Sequence, residues 1–176
     1  KISVYSNRID EGKNIEYLSL IISELCNFSC KYCISSSMIN ASYRRHNKVK
    51  NMDFITAKQI IDKFLFTVKS NGRNDPYINF GGGEPLLNWN VINCVLIYCE
   101  EKYGKKFQFS FRINTNASLI TPEIAKTLKK YGVNIALSLD GLKKANDKVR
   151  ISKSGDSAFD QIISAMNILS QADFGV

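Results

Sequence analysis

The run Glu16–Ser23 (EYLSLIIS) leads through Glu24 and Leu25 into Cys26–Cys33 (CNFSCKYC). The first half is rich in Leu and Ile over a strand's length, which predicts a buried β-strand. The second half gathers three thiols into eight residues just past that strand. Three thiolates are one ligand short of a closed structural metal site. A centre with a vacant position binds a substrate rather than only bracing a fold.

Outward from this run, the periodicity alternates between two kinds. Asp53–Lys69 places Ile55, Ile60, Ile61, Phe64, Leu65 and Val68 on one helical face, with Asp53 as N-cap. Asn71-Gly72 and Asp75-Pro76 mark a turn. Tyr77–Phe80 predicts a strand that ends at Gly81-Gly82-Gly83, and Trp89–Tyr103 a helix closed by Gly104. Phe107–Asn114 predicts a strand, Thr121–Tyr131 a helix opened by Thr-Pro and closed by Gly132, Val133–Leu139 a strand, and Ser157–Ser170 a helix. Residues 1–15 read as an N-terminal extension or small strand, with Lys1–Tyr5 its strand-like part, and residues 16–176 as one α/β domain. Ala172–Val176 reads as the start of a fifth strand, so the chain is expected to break off within a repeat.

Alternating strands and helices predict a parallel sheet with right-handed crossovers. In such a sheet, barrel or open, function collects at the carboxyl ends of the strands. Those ends carry the cysteines, then Gly81-Gly82-Gly83-Glu84-Pro85, then Asn114-Thr115-Asn116, then Ser138-Leu139-Asp140-Gly141. Their convergence says more than any one of them.

Composition bounds the rest. The 176 residues suit one domain with a real core, and 44% hydrophobic with 23% charged residues is an ordinary globular balance. No apolar run nears the ~20 residues that span a bilayer, so no membrane is expected. No signal-peptide pattern precedes the first strand, which makes the cytoplasm the expected compartment. Lys1 stands where an initiator methionine would, so the natural start is expected upstream. Five cysteines, Cys26, Cys30, Cys33, Cys94 and Cys99, make a poor disulfide framework. A tight trio in a reducing compartment points to metal or redox work. The net charge of +8 is spread over several segments and reads as solubility rather than nucleic-acid binding. The densest basic run, Arg44–Lys50, reads with Tyr43 as a solvated loop. Cys94 and Cys99 read as small buried hydrophobes, Trp89 as packing at a helix start, and Lys143, Lys144 and Lys148 as a solvated face.

Two metals suit the cysteines. An iron–sulfur cluster takes thiolate ligands and, held by three, leaves one iron open. A structural zinc site would use Cys26, Cys30 and Cys33 with His46, the single histidine. Beside them, the glycines of Gly81-Gly82-Gly83 let backbone come close to a ligand. Glu84 offers a carboxylate to an ammonium group.

The CxxxCxxC spacing with Tyr32 before its last cysteine, followed by GGEP on the second strand, resembles the radical S-adenosylmethionine (SAM) enzymes. Ser138-Leu-Asp-Gly141 with Asn146-Asp147, Arg150, Gly155 and Phe159 resembles the branch that bears a C-terminal SPASM or twitch domain. That branch includes peptide maturases and anaerobic sulfatase-maturating enzymes. The likeness runs from about Glu16 to Leu169.

The resemblance implies a partial (β/α) TIM-like barrel of radical SAM type, with four of six βα units present. It implies that Cys26, Cys30 and Cys33 ligate a [4Fe-4S] cluster whose fourth iron chelates the amino and carboxylate groups of SAM. Gly82, Gly83 and Glu84 match the segment at the amino group. Tyr32 matches the aromatic beside adenine, Ser138 the ribose position and Arg150 a partner of the SAM carboxylate. Asn116 and Asp140 are expected to face SAM or substrate. Ala117 stands where glycine often follows Thr-Asn, and Asn146 where histidine is common before aspartate. The implied reaction is reductive cleavage of SAM to a 5′-deoxyadenosyl radical that abstracts hydrogen from a peptide or protein. Thioether or carbon crosslinking of a ribosomal peptide is the first reading and formylglycine formation in a sulfatase the second. RNA or a metabolite as substrate is the third. A flavodoxin or ferredoxin is the implied electron donor. A zinc-binding module or a non-catalytic electron carrier remains the reading from another class.

Overall fold

Every second residue of β1 (Tyr17–Ser23) is apolar and buried: Leu18, Leu20 and Ile22 lie on one face. That period of two is the pleat of a strand with one face against a core. β2 (Tyr77–Gly82) repeats it with Ile78 and Phe80, and β3 (Ser110–Thr115) with Phe111 and Ile113. β4 (Asn134–Leu137) adds the partly buried Ile135 and Leu137. The structure, a computed structural model, describes residues 15–34 and 51–175.

The four strands are parallel and lie in chain order, β1-β2-β3-β4. The registers Leu20↔Phe80, Phe80↔Ile113 and Ile113↔Ile135 put the apolar side chains in one row across the sheet. The helices fill that row from outside. They are α1 (Phe54–Ser70), α2 (Trp89–Tyr103), α3 (Pro122–Lys130), α4 (Lys143–Val149) and α5 (Ala158–Gln171). Ile61, Leu65 and Val68 of α1, Ile92 and Leu96 of α2, Leu128 of α3 and Leu169 of α5 join the strands in one core. Each such Leu or Ile contributes about 1.5–3 kcal/mol.

The opposite face of the sheet is polar. Asn79 donates to Ser19 Oγ at 3.2 Å and accepts from Asn114 Nδ2 at 3.2 Å, an amide ladder across three strands. Arg112 and Asn114 are exposed there. The alternation predicts the parallel sheet, and its helices on one side with a polar wall on the other make the partial (β/α) barrel that the resemblance implies.

The predicted helix starts hold: Asp53 accepts from Thr56 N at 2.8 Å and Thr121 caps α3. Ser157, read as the first residue of a helix, is instead the N-cap of α5. Other expectations are corrected. Ile55 is 68% exposed, and Phe54 packs against the core instead, because the face that meets the sheet begins one position earlier. Cys94 is exposed while Cys99 is fully buried, since five positions on a helix do not share one face. Gly104 has an ordinary helical φ of −57°, so it closes α2 without a left-handed turn. α4 was not predicted: its one buried residue is Asn146, and seven residues carry no apolar stripe. Ala172–Gly175 form no strand, and Phe174 folds back onto the core. Trp89 packs against the core at the start of α2. Lys1–Tyr5, Tyr43, His46, the Arg44–Lys50 run and Val176 lie outside the described residues. No helix among the described residues is long and apolar enough to cross a membrane.

Candidate functional site

β2 ends where the chain must pass close to the end of β1. Gly83 N donates to Ser23 O at 2.8 Å and Glu84 N to Leu25 O at 2.7 Å. A Cβ on Gly82 would lie far inside van der Waals contact of Ser23 O, and one on Gly83 inside that of Leu25 O. Gly82 also has a left-handed φ of +132°. The glycines expected to admit a ligand therefore also admit the backbone that leads into the cysteines.

Glu84 then turns inward. It is fully buried. One carboxylate oxygen accepts from Thr115 Oγ1 at 2.7 Å and Leu86 N at 3.0 Å, and the other accepts from Asn116 N at 2.8 Å. Burial pushes its pKa up, and the three donors pull against that rise. Among the described residues no cation forms an ion pair with it. The carboxylate ties the β2 end to the β3 end and caps a short 3-10 turn, Pro85–Asn88.

The cysteine loop is fastened from the other side. Ser29 N donates to Ile151 O at 2.7 Å, Lys31 N to Val149 O at 2.9 Å and Lys153 N to Asn27 O at 3.0 Å. Phe28 pairs antiparallel with Ser152, and Lys153 Nζ reaches Cys26 O at 2.7 Å. Residues 149–153 form a strap across the loop. Burial raises the pKa of Cys26 and of Cys30; nearby Arg150 opposes the rise at Cys30. Bound iron would reverse such a shift by deprotonating the thiol.

At the mouth of the site Tyr32, Asp140 and Arg150 meet. Tyr32 OH donates to Asp140, and Arg150 lies over the Tyr32 ring at 5.6 Å. Arg150 Nη2 donates to Asp140 Oδ1 at 3.2 Å. Its Nε lies 2.9 Å from Asp140 Oδ2, an ion-pair distance, yet it is buried and makes no hydrogen bond, because the N–H is not aimed at that oxygen. The Tyr32 hydrogen bond and Arg150 together hold the Asp140 carboxyl below its usual range. Burial and that same hydrogen bond push Tyr32 to about 12. Ser138 stands half-buried past β4, its N–H bonded to Thr115 O at 3.2 Å.

The strand ends thus bring the cysteine loop, the glycine turn, Asn116, Asp140 and Arg150 to one end of the sheet. Asn116 Nδ2 lies 3.9 Å from Cys26 Sγ. Sequence reasoning placed Thr115 at a strand end without a role, and missed Asn27 and Ser118, all of which support these groups. It also missed the part played by Asn146, whose Oδ1 accepts from Asp140 N at 3.0 Å. The signal available for all four was their place within two residues of a motif residue. Ala117 has a left-handed φ of 65°, a conformation that glycine takes without strain.

The donor chemistry fits a thiolate-held cluster and a ligand that carries a carboxylate. Three thiols share one loop, and the Arg150 guanidinium, paired with Asp140, lies at the same end of the sheet. Among the described residues no three His, Cys, Asp or Glu side chains are drawn together around a single ion, and the zinc set's His46 lies outside them.

Comparison with known proteins agrees. The chain is 33% identical over 169 residues to the radical SAM cyclopropyl synthase TigE of Paramaledivibacter caminithermalis, covering 94% of this chain and 35% of TigE. It is 27% identical over 160 residues to a cysteine-type anaerobic sulfatase-maturating enzyme of Clostridium novyi, covering 90% of this chain and 41% of that enzyme. Its fold matches the solved structure of anSMEcpe with bound AdoMet and Cp18Cys peptide at a TM-score of 0.73 and 20% identity, covering 89% of this chain and 40% of that one. The chain therefore spans well under half the length of these relatives. The profile of the Radical SAM superfamily matches residues 20–176, and the chain belongs to that superfamily.

Proposed function

We propose that this chain binds a [4Fe-4S] cluster through Cys26, Cys30 and Cys33, and binds SAM beside it, to modify a peptide or protein by hydrogen abstraction. Held by Cys26, Cys30 and Cys33, the cluster would supply the electron for reductive cleavage of SAM, the chemistry from which hydrogen abstraction would follow. A flavodoxin or ferredoxin supplies that electron. The observation that carries the reading is the meeting of the cysteine loop with the Gly82-Gly83 turn and the Arg150 strap at one end of the sheet.

The chain's own residues bind and orient. Arg150, paired with Asp140, holds its guanidinium at the site for the SAM carboxylate. Gly82 and Gly83 let backbone approach the ammonium end, and the buried Glu84 braces that turn from inside. Tyr32, 52% exposed at the mouth, offers a ring face to adenine, and Ser138 a hydroxyl to ribose. The polar wall of Ser19, Asn79 and Asn114 lines the side on which a substrate segment is held.

The first reading of the product is a thioether or carbon crosslink in a ribosomal peptide, supported by the similarity to a cyclopropyl synthase. The second is formylglycine formation, supported by the similarity to a sulfatase-maturating enzyme. The full-length protein, loaded anaerobically with iron and sulfide, is expected to convert SAM to 5′-deoxyadenosine with a chemical reductant. Cys30→Ala loses both cluster and turnover, and turnover without Cys30 refutes the ligand assignment. Deuterium from a labelled substrate peptide appears in 5′-deoxyadenosine; label arriving from a nucleotide instead overturns the peptide reading.

A further inference from the structure

Asn116 belongs to a closed ring of hydrogen bonds. Its Nδ2 donates to Asn27 Oδ1 at 2.9 Å, Asn27 Nδ2 donates to Ser118 Oγ at 2.8 Å, and Ser118 Oγ donates to Asn116 Oδ1 at 2.7 Å. The orientation of an asparagine amide is ordinarily an assignment from its partners. Here one partner decides it. Ser118 N lies 3.0 Å from Asn116 Oδ1, and a backbone N–H can only donate. The carbonyl must face Ser118, so the NH2 must face the cysteine loop.

That NH2 has a second neighbour, Cys26 Sγ at 3.9 Å. The same sulfur accepts from Phe28 N at 3.4 Å. Two N–H groups from different elements, the cysteine loop and the end of β3, therefore converge on one thiol. Asn116 is 7% exposed, and Glu84 holds its backbone N–H, so its amide has little freedom to turn away. Hydrogen bonds to the ligand sulfurs are among the levers that set a cluster's reduction potential. A donor stabilises the more electron-rich, reduced state and raises the potential.

We infer that Asn116 is a tuning residue of the Cys26 corner, donating an N–H···S hydrogen bond that raises the potential of the bound cluster, rather than a contact to SAM. This rests on the cluster reading of Cys26, Cys30 and Cys33. The ring gives Asn116 two routes of action: directly through the sulfur, or by holding Asn27 in the loop. Asn27→Ala breaks the ring yet leaves Ser118 to aim the Asn116 amide at Cys26.

The test is an electron-paramagnetic-resonance redox titration of the full-length, iron–sulfur-loaded protein, with SAM affinity measured alongside. Asn116→Ala is expected to move the midpoint to a more negative potential, Asn27→Ala to move it less, and both to keep SAM affinity within about threefold. An unmoved midpoint in Asn116→Ala, equal shifts in the two variants, or a tenfold loss of SAM affinity with no shift overturns the inference. In the wild type, side-chain 15N-labelled asparagine is expected to show hyperfine coupling to the reduced cluster, a readout that needs no variant to fold. Absence of that coupling also overturns it. A wild-type protein that takes up no iron and sulfide sinks the cluster reading itself, an outcome distinct from a loaded protein whose potential ignores Asn116.

Discussion

Arg150 holds Asp140 at two points, Nη2 donating to Oδ1 at 3.2 Å and Nε lying 2.9 Å from Oδ2. Asp140 thus fixes the guanidinium beside Tyr32 and the cysteine loop. Asp140→Asn keeps the size but removes the charge and one acceptor. It is expected to weaken SAM binding about tenfold, the loss of roughly one charge-assisted bond, with little change in thermal stability. Calorimetric titration checks it. Because the Asp140 pKa is depressed, its hold is present above the ordinary carboxylate range and lost as pH falls through the depressed value, so wild-type affinity is expected to show no Asp140 step between pH 6 and 8.

Glu84→Gln tests the inward carboxylate. Both its oxygens accept, so the glutamine NH2 would face either Asn116 N–H or Leu86 N–H. The expected loss is about 1–3 kcal/mol of stability, read as a lower denaturation midpoint in urea.

Gly82→Ala puts a methyl against Ser23 O at a left-handed φ. Overpacking and backbone strain are together expected to cost about 2–4 kcal/mol. The measured sign is a fall in melting temperature with loss of bound iron.

Cys94 and Cys99 separate under alkylation. Cys94 is exposed, whereas Cys99 is fully buried and desolvation pushes its thiol to about 12. Mass spectrometry of the native protein after iodoacetamide is expected to find Cys94 modified and Cys99 untouched until denaturant is added.

On the outer side, Asp62 accepts from Tyr98 OH at 2.5 Å and Tyr103 OH at 2.8 Å, tying α1 to α2. Tyr98 is pushed to about 12, first by burial and then by that carboxylate. A phenol whose folded value lies above its unfolded value of about 10 adds stability below that pH and loses it as pH rises toward 12. Melting temperature is expected to fall across that window, and Tyr98→Phe to flatten part of the fall.

The sequence made the sheet legible because Leu18, Leu20 and Ile22 of β1 and Ile78 and Phe80 of β2 have one physical solution, and Asp53 and Thr121 announce their helices by capping chemistry. The strand ends were legible for a related reason: Gly82, Gly83 and the cysteines are residue types that few other demands select. The supporting shell was not. Asn27, Ser118 and Asn146 are common polar residues whose partners lie up to 91 positions away, and local patterning holds no record of such pairs. α4 escaped for want of an apolar stripe, and Ile55 was misplaced because its register against the sheet is fixed by tertiary contact.

The strap over the cysteine loop has a temporal side. Its hydrogen bonds join Phe28 and Lys31 to residues some 120 positions downstream. During synthesis at ~5–20 residues per second, the nascent thiols therefore wait roughly 6–24 s for Val149–Lys153 to be made. Until then the loop lacks the hydrogen bonds that fasten it, so the three thiols are held in place only after this late part of the described chain has been made.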